Sequence, residues 1–262
     1  MLTAEIRDTA TRSPSTEENV TYPVSVIFSL AREETAPLLR ALRSQHVMPP
    51  LSHAWGSEHA YSALLQHEAG TPLAVLDVPS HRWSEGLEER VRVLSNISSV
   101  IVLVPDHTEP SELLSAGAAN VVPRNTSPKE LGSRIAAERR WLDMRQPARQ
   151  RVMADAWEYA LLRPQHRSQQ VLFDLLCFTS RPWCCHDLCL MLGSAEGPMS
   201  RRALQARMVR LEERLLPYGM SVDCTAQWGR TTYMGLVEVN RPDFPAGALP
   251  AGDPSAKGLE SA

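Results

Sequence analysis

Residues 200–216, SRRALQARMVRLEERLL, hold the densest set of side chains suited to recognition. Leu204, Met208, Leu211 and Leu215 follow i, i+4, i+7, i+11 spacing and define one apolar helical stripe, which must face a core. The opposite face then presents Arg202, Gln205, Ala206 and Val209, bordered by Arg201, Arg207 and Arg210. An α-helix fits the major groove of DNA, where Arg pairs bidentately with guanine and Gln with adenine. Ala206 and Val209 suit a thymine methyl, and Arg210 suits a phosphate. Arg230 follows Gly229 at the expected tip of a hairpin, a position from which Arg enters narrow minor grooves. For such a helix in isolation a solvated surface is the commoner role, so its setting decides between the two.

Other reactive groups make weaker patterns. Cys184, Cys185, His186 and Cys189, with Cys177 upstream, have thiolate and imidazole chemistry that binds zinc, but their spacing matches no common zinc signature. Free Cys is often buried as a small hydrophobe. His46, His53, His59, His67, His81 and His107 are dispersed, without Cys or carboxylate at ligand spacing. There is no Gly-rich phosphate loop and no nucleophile elbow. The chain is therefore expected not to be an enzyme, and to need no cofactor and no metal.

The elements that position these residues fall into two groups. Short apolar runs at 24–30, 73–78, 99–104 and 120–122 alternate with helical patterns at 36–45, 57–68, 86–96, 109–117 and 127–142. Ser127 is the expected N-cap of the last helix, with Pro128 at its first position. Strands buried on both faces and separated by helices predict a doubly wound parallel α/β sheet. Downstream, helices are expected at 168–178, 183–192 and 200–216, followed by two strands over 222–239. Three helices and a hairpin is the order of a winged helix-turn-helix. The expected organisation is a disordered start at 1–21, an α/β domain at 22–142, a linker at 143–166, the winged helix at 167–240 and a disordered tail at 241–262.

Composition agrees with an ordinary globular protein. No apolar run approaches the ~20 residues that span a bilayer, and the first residues lack a signal-peptide pattern, so a cytoplasmic location is expected. Five scattered cysteines do not suggest a disulfide framework. The overall net charge of −3 conceals a net −6 over residues 1–133 and +5 over 134–241. The basic half suits a polyanion.

Residues 23–239 resemble the two-domain OmpR/PhoB-family response regulators, a receiver (CheY/flavodoxin-like) domain followed by a winged helix. RALQARMVRLEERL (202–215) is similar to the family's recognition helix, with Leu211, Arg214 and Leu215 as its ending. LAVLDV places Asp77 where the family's phospho-acceptor ends the third strand, and AGAANVVPRN (116–125) resembles the segment before the fifth strand. The resemblance also gives Tyr233 the place of the wing tyrosine.

The departures sit at the phosphorylation site. The acidic pair that holds Mg²⁺ in the family reads Ser29-Leu30 here, the strand-four hydroxyl is Val104, the Lys-Pro after strand five is Arg124-Asn125, and the switch aromatic is Val121. Phosphoryl transfer needs a metal to neutralise developing charge. Glu33 and Glu34 suit a helix start better than a metal. The resemblance thus implies an atypical regulator whose Asp77 is inactive. It would be controlled by dimerisation through 109–142 or by a small-molecule ligand, with promoter DNA and RNA polymerase as partners and a bacterial, nucleoid-associated location. A conventional phospho-activated regulator and a protein-interaction adaptor that does not bind DNA are the alternatives.

Overall fold

The computed structural model describes residues 22–47, 49, 51–67, 70–145, 162–179, 181–227 and 230–238. The expected disordered ends (1–21 and 241–262) and most of the expected linker lie outside them.

The N-terminal lobe is a five-stranded, all-parallel sheet in the order β2-β1-β3-β4-β5, flanked by helices. Its elements run β1 (Val26–Ser29), α1 (Arg32–Leu42), β2 (His53–Ala54), α2 (Glu58–Leu65), β3 (Leu73–Asp77), α3 (Leu87–Ser95), β4 (Ser99–Val104), α4 (Ser111–Ser115), β5 (Asn120–Pro123) and α5 (Pro128–Arg145). This strand order is that of flavodoxin-like sheets. β1, β3 and β4 are apolar on both faces because helices cover both. Successive side chains take opposite sides: Ile27, Val75 and Ile101 meet Leu131 and Ile135 of α5, while Val26, Phe28 and Leu76 share the other core with α2 and α3. Ser127 caps α5 by accepting from the Glu130 amide at 3.2 Å.

The C-terminal lobe runs α6 (Arg167–Phe178), β6 (Trp183–Cys184), α7 (Cys185–Met191), α8 (Arg201–Leu215), β7 (Met220–Gln227) and β8 (Arg230–Glu238). Its sheet has the order β6-β8-β7 and is antiparallel. Two short strands differ from the sequence expectation. The 183–192 helix gives up Trp183 and Cys184, which pair with Tyr233 and Thr232 of β8. β2 lies in a segment expected to be loop, where His53 pairs with Phe28. The first helix also begins earlier than 36–45, at Arg32, with Glu33 and Glu34 in its first turn.

The two lobes share one core. Val171, Leu172 and Phe173 of α6 join the same apolar cluster as Ala60, Tyr61 and Leu64 of α2. Polar bonds cross the seam beside it: Trp55 Nε1 donates to the Leu190 carbonyl at 2.9 Å, and Gln66 Nε2 to the buried Asp174 carboxylate at 3.0 Å. Gly56 (φ +83°) lets the backbones meet, since a Cβ there would stand 1.7 Å from the Gly193 carbonyl oxygen.

Candidate nucleic-acid interface

Helix α8 is built as its periodicity predicts. Leu204, Met208, Leu211 and Leu215 are its buried residues. Ser200 fixes its start by accepting from the Ala203 amide at 3.2 Å. The outward face carries Arg201, Arg202, Gln205, Ala206, Val209 and Arg210, all exposed, with Val209 at 52%. Among the described residues no carboxylate pairs with Arg201, Arg202 or Arg210; Arg210 Nε only turns back to the Ala206 carbonyl at 3.1 Å. These guanidiniums are free to meet an anion. At the far end, Glu212 is held by the Ser221 hydroxyl at 2.6 Å, and Glu213 is exposed.

Arg207 departs from this face. It is half-buried and pairs with Glu58 of α2 at 3.2 Å. The pair links α8 to the N-terminal lobe and engages a guanidinium that the sequence offers to DNA. The pairing spans 149 positions of chain, which no local spacing reveals.

Arg230 opens β8, exposed and opposite Gln227, beside the hairpin tip. The tip residues, 228 and 229, lie outside the described residues. Tyr233 is buried against the shared core, and its phenol is pushed up to about 12 by burial, a structural role.

Asp77 ends β3 at the carboxyl edge of the parallel sheet, fully buried. Its carboxylate accepts from Arg124 Nε at 2.9 Å and from the Thr35 hydroxyl at 2.5 Å. Ser29 shares a hydrogen bond with Thr35 at 2.5 Å, and Arg124 also donates to the Glu34 carbonyl. Burial raises the Asp77 pKa, and the Arg124 and Thr35 bonds oppose that rise without cancelling it. The Glu34 carboxylate turns instead to Arg82 at 3.3 Å. Thr35 is the member of this cluster that sequence reading missed, since its hydroxyl arrives from the first turn of α1, 42 residues away from Asp77 in sequence.

Three of the cysteines serve packing or capping, whereas Cys224 is exposed. Cys184 Sγ accepts from the Asp187 amide at 3.3 Å as the N-cap of α7. Cys177 and Cys189 are buried, which pushes their thiols up to about 12 and about 11. Among the described residues no group of three His, Cys, Asp or Glu could hold a metal ion. No helix among them is long and apolar enough to cross a membrane. Along the expected dimer face, Leu114 of α4 and Trp141 of α5 are exposed at 46% and 42%. Comparison with family models, curated proteins and solved structures gives no match.

Proposed function

We propose that this chain is a sequence-specific, double-stranded-DNA-binding transcriptional regulator of the atypical OmpR/PhoB kind, acting by binding and not by catalysis. The observation that carries the reading is the outward face of α8. It sets three arginines, unpaired among the described residues, and a glutamine opposite a buried stripe, beside a hairpin whose second strand opens with Arg230. The order helix, strand, helix, helix, hairpin with a β6-β8-β7 sheet supports the winged-helix reading.

In this reading α8 enters the major groove. Arg202 and Gln205 read base edges, Ala206 and Val209 pack on thymine methyls, and Arg201 and Arg210 anchor to phosphates. Arg230 reaches the minor groove. The N-terminal lobe is a pseudo-receiver: the Arg124 guanidinium already neutralises Asp77, so no phosphoryl group is needed to organise the site. Two copies joined through 109–142 would set two recognition helices on successive half-sites and contact RNA polymerase. A cytoplasmic, nucleoid-associated location follows from that role.

The test is selection of fragmented genomic DNA by the purified protein, beside an Arg202→Ala, Arg210→Ala variant. A shared motif with two half-sites about 10 base pairs apart, lost in the variant, is expected. Binding indifferent to the substitutions, or enrichment of no motif, would favour the adaptor reading.

A further inference from the structure

We propose that the cleft between the lobes binds a small zwitterion of amino-acid type, its carboxylate held by Arg90 and Trp83. The cleft encloses about 340 Å³. Trp83, Glu85 and Arg90 line it from the N-terminal lobe, and Leu190, Glu196 and Pro198 from the other. That volume suits a small molecule.

Among the described residues, three buried N–H donors of its lining side chains have no acceptor: Trp83 Nε1, Arg90 Nε and Arg90 Nη1. Trp83 is 9% exposed and Arg90 6%. Only Arg90 Nη2 is satisfied, donating to the Ala195 carbonyl at 2.6 Å. Arg90 has no ion pair among the described residues, and its guanidinium stands 5.8 Å from the centre of the Trp55 ring. Buried donors are nearly always satisfied, and a buried cation calls for a counter-charge. A carboxylate supplies both.

The rim limits the rest of the ligand. Glu85, Glu89 and Glu196 line the opening together with Arg82 and His186; Glu89 pairs with His186 at 3.1 Å, Arg82 with Glu34 at 3.3 Å, and Glu196 stands within electrostatic reach of Arg90. These carboxylates repel a phosphate dianion and attract an ammonium group. Leu190 and Pro198 leave an apolar wall for a short side chain, facing the Trp83 ring on which the Arg82 guanidinium stacks at 4.7 Å. One carboxylate, one ammonium and a modest apolar group describe an amino acid.

The three donors are shut off from solvent, so the proposed ligand must displace the Ser194–Gly197 turn, which is closed by an antiparallel bridge, to engage them. Arg90 holds that turn through Ala195, and the turn leads directly into Ser200, the cap of α8. Occupancy therefore moves the start of α8. This coupling rests on the DNA-binding reading; the binding itself does not.

The experiment uses the full chain. A panel of L-amino acids, with propionate and inorganic phosphate as controls, is followed by thermal shift and titration calorimetry. One or more amino acids is expected to bind at one site per chain, more tightly than propionate or phosphate. Trp83→Phe keeps an aromatic ring and loses the donor, and should weaken that binding about tenfold. Glu196→Gln, on the exposed rim, should weaken the amino acid and leave propionate unchanged. No binding by any amino acid overturns the site. So does binding unaltered in both variants, and phosphate binding tighter than every amino acid overturns the ligand class. In a parallel DNA titration the bound amino acid should change affinity about fivefold or more. Ligand binding with unchanged DNA affinity overturns the coupling alone. Absence of DNA binding with and without ligand overturns the regulator reading and leaves the site standing.

Discussion

Arg124 decides what Asp77 can be. Removing a guanidinium from beside a buried carboxylate leaves an uncompensated charge, the costly way to break an ion pair. Arg124→Met should therefore destabilise the protein by about 3 kcal/mol at neutral pH, measured by urea unfolding. The pH dependence follows from the direction of the Asp77 shift. Burial makes the folded carboxyl hold its proton more readily than the unfolded chain does. Above its raised titration range the buried charge costs stability, and acidification through that range removes the cost. Loss of Arg124 pushes the range higher and enlarges the cost. The Arg124→Met deficit should accordingly shrink as pH falls toward the ordinary carboxylate range, and a deficit that grows on acidification would show that Asp77 is not the group left uncompensated. Incubation with acetyl phosphate and Mg²⁺ should likewise add no phosphate mass at Asp77, whose carboxylate is closed to solvent and already engaged by Arg124 and Thr35.

At the scale of the helix, two arginines three residues apart should behave in opposite ways. Arg210 is exposed and has no ion pair among the described residues, so Arg210→Ala should leave stability within about 0.5 kcal/mol. The same change should weaken DNA binding across all sequences and reduce the salt slope by about 1. Arg207 faces Glu58, so Arg207→Ala should cost up to about 1 kcal/mol of stability and leave the salt slope unchanged. Equal slopes for the two variants would remove the assignment of Arg210 to a phosphate. The contrast also marks what the sequence can disclose. The buried stripe of α8 was legible because four apolar residues keep helical period over three turns. The strands β1, β3 and β4 were legible because they are buried on both faces and read as unbroken apolar runs. β2 and β6 have two residues each, too short to carry any period, and exist through partners in β1 and β8. Arg207–Glu58, Thr35–Asp77 and the Arg90 cluster depend on chain crossings that local spacing does not encode.

Across the whole molecule, the shared core makes the lobes one cooperative unit. Leu64 of α2 and Phe173 of α6 are wholly buried in the same cluster, so neither lobe can open its seam without exposing the other's interior. Far-UV dichroism and tryptophan fluorescence should thus report a single, coincident unfolding transition. The most searching test of this coupling is at Gly56. Its φ of +83° is strained for any other residue, and a Cβ there would collide with the Gly193 backbone rather than with a yielding side chain. Gly56→Ala must therefore displace one lobe against the other. The residue lies far in sequence from α8, but Gly193 begins the turn that leads into that helix, and Glu58, two residues beyond Gly56, holds Arg207. The substitution should lower the melting temperature of both lobes together, at a cost of about 2 kcal/mol or more, and weaken DNA binding without touching a DNA-facing residue. A C-terminal lobe that kept full affinity while the N-terminal lobe melted early would mean that the seam is packing alone, and that the receiver-like lobe has no mechanical hold on α8.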